Sequence, residues 1–165
     1  MIFKIYYDMR IETIANRRFL FFVLFIFFLF IFDQLSKQLV ISHIPPGNST
    51  PLAGKFIYLT PIKNKGLIMG LLSYSSHLVI FFTIFVLIVL IFLWLMKLKK
   101  KGRLAIAFII AGAGGNLLDR IFKGGVIDFI DVKIWPIFNL ADIFITVGAV
   151  LLCIKLIFSR KKCTE

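Results

Sequence analysis

LVIFFTIFVLIVLIFLWLM, residues 78–96, runs for nineteen residues without a charge. A helix of that length spans the hydrocarbon core of a bilayer, which needs about 20 residues. The pattern repeats outward from it. Residues 19–32 are apolar throughout, and their helix must continue through Asp33 towards Ile41 to reach the far side. Residues 104–122 and 140–158 supply two further spans, the last with Asp142 near its start. Of 165 residues 60% are apolar, 20 are Phe, and the mean hydropathy is +0.97. Soluble domains are about 45–50% apolar, and a soluble fold of this size could not bury the excess. A soluble enzyme, a disordered tail and a disulfide scaffold are excluded. The expected class is an all-α integral membrane protein, a four-transmembrane-helix bundle.

The net charge of +12 sits in basic clusters between apolar runs of 14 to 19 residues. That arrangement points to membrane phospholipids and membrane orientation, not to nucleic acid. Twelve Lys and Arg precede span one, link spans two and three or follow span four, against seven on the other side. Both termini are therefore expected in the cytoplasm, with Lys155 snorkelling to that side. A cleaved signal peptide is the competing reading of span one, but no small-x-small site follows it. The expected organisation is a basic segment over 1–18, a membrane domain over 19–158 and a basic tail over 159–165. Outer segments are expected at about 42–66 and 123–139. The first is punctuated by Pro45, Pro46, Gly47, Pro51, Gly54 and Pro61 around the β-prone residues 56–60, which reads as a small sheet on the membrane surface. Trp135 is placed as an interfacial anchor.

Eight residues are acidic, with Asp8, Glu12 and Glu165 in the tails. The other five, Asp33, Asp119, Asp128, Asp131 and Asp142, all fall at or near the outer surface in this topology. A charge at mid-span costs roughly 2.5–3.5 kcal/mol on insertion scales, less near the interface, and marks function by default. Asp131 reads equally well as loop decoration. Asp33 and Lys37 share a helix face at i,i+4; a mutual ion pair that makes the helix end tolerable and a direct role are both open, and the two are compatible. Asn116, Asp119 and Arg120 share another face, one turn beyond Ala111-Gly112-Ala113-Gly114-Gly115, a run suited to close helix packing. They read as a self-satisfied cluster, or as a site where the five donors of Arg120 hold Asp119 or a bound peptide.

Strand alternation over 126–131 sets Asp128 opposite Phe129 and Asp131. Asp142 lies in the first turn of span four, where the helix N-terminus stabilises a carboxylate. Together the two aspartates could share a proton, one acting as general base on water and the other as acid on a carbonyl oxygen. Spacing alone leaves a bland N-terminal charge open for Asp142. His43, His77, Cys153 and Cys163 form no ligand grouping, so neither a metal nor a cofactor is expected. Ser73, Ser75 and Ser76 carry no nucleophile signature.

Five motifs occur in order: Asp33-Gln34-Leu35-Ser36-Lys37, Asn64-Lys65-Gly66, Gly115-Asn116-Leu117-Leu118-Asp119-Arg120, Val126-Ile127-Asp128-Phe129-Ile130-Asp131 and Phe138-Asn139-Leu140-Ala141-Asp142. With them the chain resembles signal peptidase II, the bacterial lipoprotein signal peptidase family, from residue 19 to about 158. The resemblance implies an aspartic endopeptidase, needing no metal, that cleaves diacylglyceryl-modified prolipoproteins just before the lipidated cysteine. It places the catalytic aspartates at Asp128 and Asp142. It sets Asn64, Asn116, Arg120 and Asn139 around them, with Asp33, Lys37 and Asp119 as further motif positions. It also implies a small extracytoplasmic β-cradle, a mobile outer segment and an active site near the outer leaflet of the bacterial inner membrane; a monomer is expected. The chain departs from the family at Leu67-Ile68-Met69, where two alanines and an aromatic are usual. The main rival is a small proton-coupled transporter or channel with an acid–base relay. Charges gathered at one surface, with no polar steps across spans two and four, argue against it. A non-catalytic assembly factor that binds membrane peptides is a third reading.

Overall fold

The computed structural model describes residues 2–54, 56–66, 76–96 and 100–160. Its elements follow in the order α1 (Ile2–His43), β1 (Thr50–Ala53), β2 (Ile57–Asn64), α2 (Ser76–Leu95), α3 (Lys100–Lys123), β3 (Val126–Asp131) and α4 (Leu140–Arg160). Each helix contains one stretch long and apolar enough to cross a membrane: Phe19–His43, His77–Leu95, Gly102–Lys123 and Leu140–Phe158. The first span starts at Phe19, within a helix that runs continuously from Ile2. Residues 67–69, with the departure noted above, lie outside the described residues, as do Ser73, Ser75, Lys97 and Lys99.

Sequence explains which face of α1 turns inward. Phe22, Leu29, Asp33, Lys37 and Val40 are buried, at steps of seven, four, four and three. That is a helical stripe with two charges inside it. Phe21, Phe28, Phe32, Leu35 and Leu39 face outward and are at least half exposed, which is the composition of a lipid-facing surface. Helix α3 sits at the centre and touches α1, α2 and α4. About 44% of its span is buried, against 11–17% of the other three, so it meets less lipid than they do and tolerates Asn116, Asp119 and Arg120.

Close approach of α3 and α4 depends on glycine. A Cβ on Gly112 would run into the backbone carbonyl of Ala141, and one on Gly115 into Oδ2 of Asp33. The glycine run therefore does more than pack helices, because it makes room for a carboxylate. Gly112→Ala is expected to destabilise the protein by about 1–3 kcal/mol, as forced overpacking does. A melting temperature in detergent equal to wild type would contradict the packing account.

The outer sheet has the order β1-β2-β3, antiparallel throughout. Its third strand comes from the 123–139 segment, so the two outer segments form one sheet. Phe56 falls in the turn before β2, and that strand runs on through Pro61 to Asn64. Proline has no N–H to give the ladder, and the β2–β3 register slips between Leu59 and Ile62, around Pro61. Phe129 of β3 packs on Val40 and Ile44 at the end of α1, which fastens the sheet to the bundle. At the opposite end, the ammonium of Lys155 lies against Gly102 at the start of α3.

Candidate active site

Asp128 and Asp142 are fourteen residues apart and come together through a reversal of the chain. After β3 the chain turns at Lys133, which has φ 65°. Its N–H and Nζ donate to Asp131 at 2.8 and 2.7 Å. The returning chain makes an antiparallel bridge from Phe138 to Ile130. That bridge delivers Asn139 beside Asp128 and starts α4.

The start of α4 is a reciprocal cap. Oδ1 of Asn139 accepts from the N–H of Asp142 at 3.0 Å, and Oδ2 of Asp142 accepts from the N–H of Asn139 at 3.1 Å. Two donors that the helix leaves without partners are thereby satisfied. A third, the N–H of Ala141, goes to Oδ1 of Asp33 at 3.0 Å. The other half of the Asn139 amide reaches the neighbouring strand: its Nδ2 donates to Oδ1 of Asp128 at 2.6 Å. Asn139 is fully buried and touches both aspartates.

Every carboxylate oxygen of the pair accepts one N–H. Asn64 donates to the second oxygen of Asp128 at 3.0 Å, and Asn116 to the second oxygen of Asp142 at 2.9 Å. Asp128 and Asp131 lie three residues apart on one strand and are driven in opposite directions. The hydrogen bonds from Lys133 hold Asp131 below the usual carboxylate range. Burial first, and then the charge of Asp142, raise Asp128 to about 6 against the opposing hydrogen bonds of Asn64 and Asn139. A carboxyl poised near neutrality in a pocket is suited to general acid–base work.

A pocket of about 250 Å³ opens over the pair, lined also by Asn64, Arg120, Trp135 and Phe138. A largely apolar groove continues from Trp135, Phe138 and Asp142 along α4 past Ile143, Thr146 and Val147. Asp131 is not in this pocket: it bonds Thr60 and Lys133 at the far end of β3.

Beneath the pocket lies a buried ionic cluster. Lys37 pairs with Asp33 at 2.8 Å, as the i,i+4 spacing predicts, and with Asp119 of α3 at 2.8 Å. Asp119 also pairs with Lys123 at 2.7 Å. Asp119 is thus fully engaged, and Arg120 does not hold it. Among the described residues, Arg120 makes a single long bond, from Nη1 to the backbone oxygen of Asn116 at 3.4 Å, leaving most of its donors for the pocket. Lys123 is the last residue of α3 and part of this cluster. Gln34 and Lys123 are the cluster members that spacing missed. Gln34 bonds Asp33 and the carbonyl of Gly115, and its place directly beside Asp33 in sequence was the available clue.

All nine residues singled out from sequence therefore join in one connected arrangement at the sheet end of the bundle. The family model for signal peptidase (SPase) II matches residues 25–158. The lipoprotein signal peptidase of Moorella thermoacetica is 39% identical over 127 residues, covering 76% of this chain and 85% of that protein. The lipoprotein signal peptidase of Clostridioides difficile is 37% identical over 147 residues, covering 86% and 97%. The fold is shared with a bacterial membrane enzyme whose structure was determined by the in meso method at 2.3 Å resolution. Their TM-score is 0.81 at 33% identity, with 86% of this chain and 90% of that chain covered. With the family match extending over all four spans and the sheet, the chain belongs to the signal peptidase II family.

Proposed function

We propose that this chain is an aspartic endopeptidase of the bacterial inner membrane. It removes the signal peptide from diacylglyceryl-modified prolipoproteins, cutting just before the lipidated cysteine. The observation that carries the reading is the buried pair Asp128 and Asp142, bridged by Asn139 under an open pocket. Asp142 as carboxylate takes a proton from water, and that water attacks the scissile carbonyl. Asp128 in its protonated form donates to the carbonyl oxygen as it gains charge. When the tetrahedral intermediate collapses, the amide nitrogen leaves with a proton and the pair returns to its one-proton state. No metal or other cofactor takes part, and cleavage is expected to persist in strong chelators. Loss on chelation with recovery on added zinc would contradict this.

Depth suits the task. The pocket lies where α1 and α3 end, α4 begins and the sheet lies. The apolar groove along α4 leads from it into the membrane span, so a lipid-bearing substrate can keep its acyl chains in hydrocarbon while water reaches the pair. The basic side of the chain is cytoplasmic, with both termini inside and the site near the outer leaflet. The chain works as a monomer in contact with membrane phospholipids.

Arg120 holds substrate carbonyls through its planar fork. Lysine keeps the charge but not the geometry. Arg120→Lys is expected to lower kcat/KM at least about tenfold with folding unchanged, since a hydrogen bond to a charged group is worth about 1.5–3 kcal/mol. Wild-type kcat/KM in that variant would reduce Arg120 to a generic interfacial charge.

The pH dependence follows from the shared proton. Asp128, raised to about 6 in the free protein, must hold its proton to act as acid. The kcat/KM therefore falls as pH rises through that region, and falls again in acid when the pair gains a second proton. Single-turnover rates should show both limbs. A flat profile across the stable range of the protein would count against a proton-sharing pair.

A further inference from the structure

Lys37 is buried, yet the mechanism gives it no part. Its ammonium has three donors and no acceptor, and each donor has a partner: Asp33 Oδ2 at 2.8 Å, Asp119 Oδ2 at 2.8 Å and Asn116 Oδ1 at 3.0 Å. The third contact is the informative one. An asparagine amide can present either end to a neighbour, but only its oxygen can face an ammonium. With Oδ1 turned to Lys37, the Nδ2 of Asn116 is turned to Asp142, where it donates at 2.9 Å.

Asn139 supports the same orientation only with a shared hydrogen. Its two Nδ2 hydrogens serve three acceptors, Asp128 Oδ1 at 2.6 Å, Asn116 Oδ1 at 3.1 Å and the Ile127 carbonyl at 3.3 Å. The shortest bond claims one hydrogen, and the other is divided between Asn116 and Ile127.

We propose that Lys37 is a positioning residue for the general base: by donating to Asn116 Oδ1 it locks the Asn116 amide with its N–H towards Asp142. This rests on reading Asp128 and Asp142 as the working pair, and it assigns the buried lysine a task in the reaction beyond neutralising two aspartates. Without Lys37 the amide is held only by Asp142 itself and by the shared hydrogen of Asn139, so its N–H is presented less firmly and the ionised base is less well supported. The charged groups around Asp142 are Asp128 on β3 and Arg120 on α3. Those around Lys37 are Asp33 on its own helix, Asp119 on α3, which Lys123 closes from the other side, and, beyond ion-pair distance, Asp128 on β3.

Removing Lys37 alone would strand the buried carboxylate of Asp33, leave Asp119 with Lys123 only, and destabilise the bundle whatever its role. The test is therefore the charge-balanced double variant Asp33→Asn/Lys37→Met, with Asp33→Asn/Lys37→Gln as its reference: both lack the same two charges, and only the glutamine amide can donate to Asn116 Oδ1. Both are assayed as purified full chain in detergent on a diacylglyceryl-modified precursor. The glutamine of the reference supplies an N–H to Asn116 Oδ1 without the charge, and its acid limb of kcat/KM is the baseline. The double variant should move that limb to higher pH by about one unit or more, the worth of one hydrogen bond to a charged group. A double variant with the acid limb of its reference overturns the proposal, because a purely charge-balancing lysine would give that result. If the double variant does not fold, Asn116→Leu in the otherwise native chain decides. The Asn116 amide is the direct link from Lys37 to Asp142, so that variant must displace the acid limb by itself, and an unmoved limb overturns the proposal. Failure of the aspartate-pair reading is separately visible, as normal cleavage by Asp128→Asn or Asp142→Asn.

Discussion

Asp128→Asn and Asp142→Asn are each expected to lower cleavage of a diacylglyceryl-modified precursor by about 10³-fold or more, the scale of a lost general acid or base. An amide has the size of the carboxyl but cannot exchange its proton. It also fits the hydrogen bonds poorly. Both oxygens of Asp128 accept, from Asn139 and Asn64, and both of Asp142 accept, from Asn116 and the Asn139 N–H. An asparagine at either place sets one N–H against a donor. That cost is local, and the packing of α3 on α4, which keeps the bundle together, is untouched. The variants should therefore purify and melt as folded proteins while turnover disappears. Near-normal turnover in either variant would remove that residue from the chemistry.

Asn139→Ala should be the next most damaging change, lowering kcat/KM by about 10²-fold and also lowering the melting temperature. Three losses combine. The Asp142 N–H loses its cap acceptor, worth about 1 kcal/mol. Asp128 loses its 2.6 Å donor, worth about 1.5–3 kcal/mol when the acceptor is charged. The reciprocal bond that sets the Asp142 side chain loses its partner as well. Asn139→Asp separates the effects. It keeps an acceptor for the cap but places a third carboxylate against Asp128, so stability should recover more than activity. Comparable activity in Asn139→Ala and wild type would mean that the bridge between the aspartates is incidental.

Local features of this arrangement were legible in the sequence, and long-range ones were not. Four apolar runs specify four helices because lipid leaves the backbone no alternative. The Asp33–Lys37 pair is legible because i,i+4 spacing fixes a shared face. The strand character of 126–131 was also legible, but not its pairing with β2, because register depends on the tertiary fold and on the break at Pro61. Asp119 shows the limit most clearly. Spacing put Arg120 beside it, while its partners are Lys123 one turn on and Lys37 on another helix. Nothing in the distance from residue 37 to residue 119 announces that contact. It is made because Gly112 and Gly115 let α3, α4 and the Asp33 carboxylate close to contact. Asn139 was recognisable from its motif, but its double service as helix cap and inter-aspartate bridge appears only once the Phe138–Ile130 bridge folds the chain back.

The most direct test is mass spectrometry of the products formed by the purified protein in detergent, using one prolipoprotein precursor with and without its diacylglyceryl group. Aspartic cleavage at the lipidated cysteine predicts one new N-terminus, the diacylglyceryl-modified cysteine, from the lipidated precursor. It predicts intact unlipidated precursor, and no product when Asp128 or Asp142 is replaced by asparagine. An uncut lipidated precursor, a cut at another bond, or the same product from the asparagine variants would contradict it.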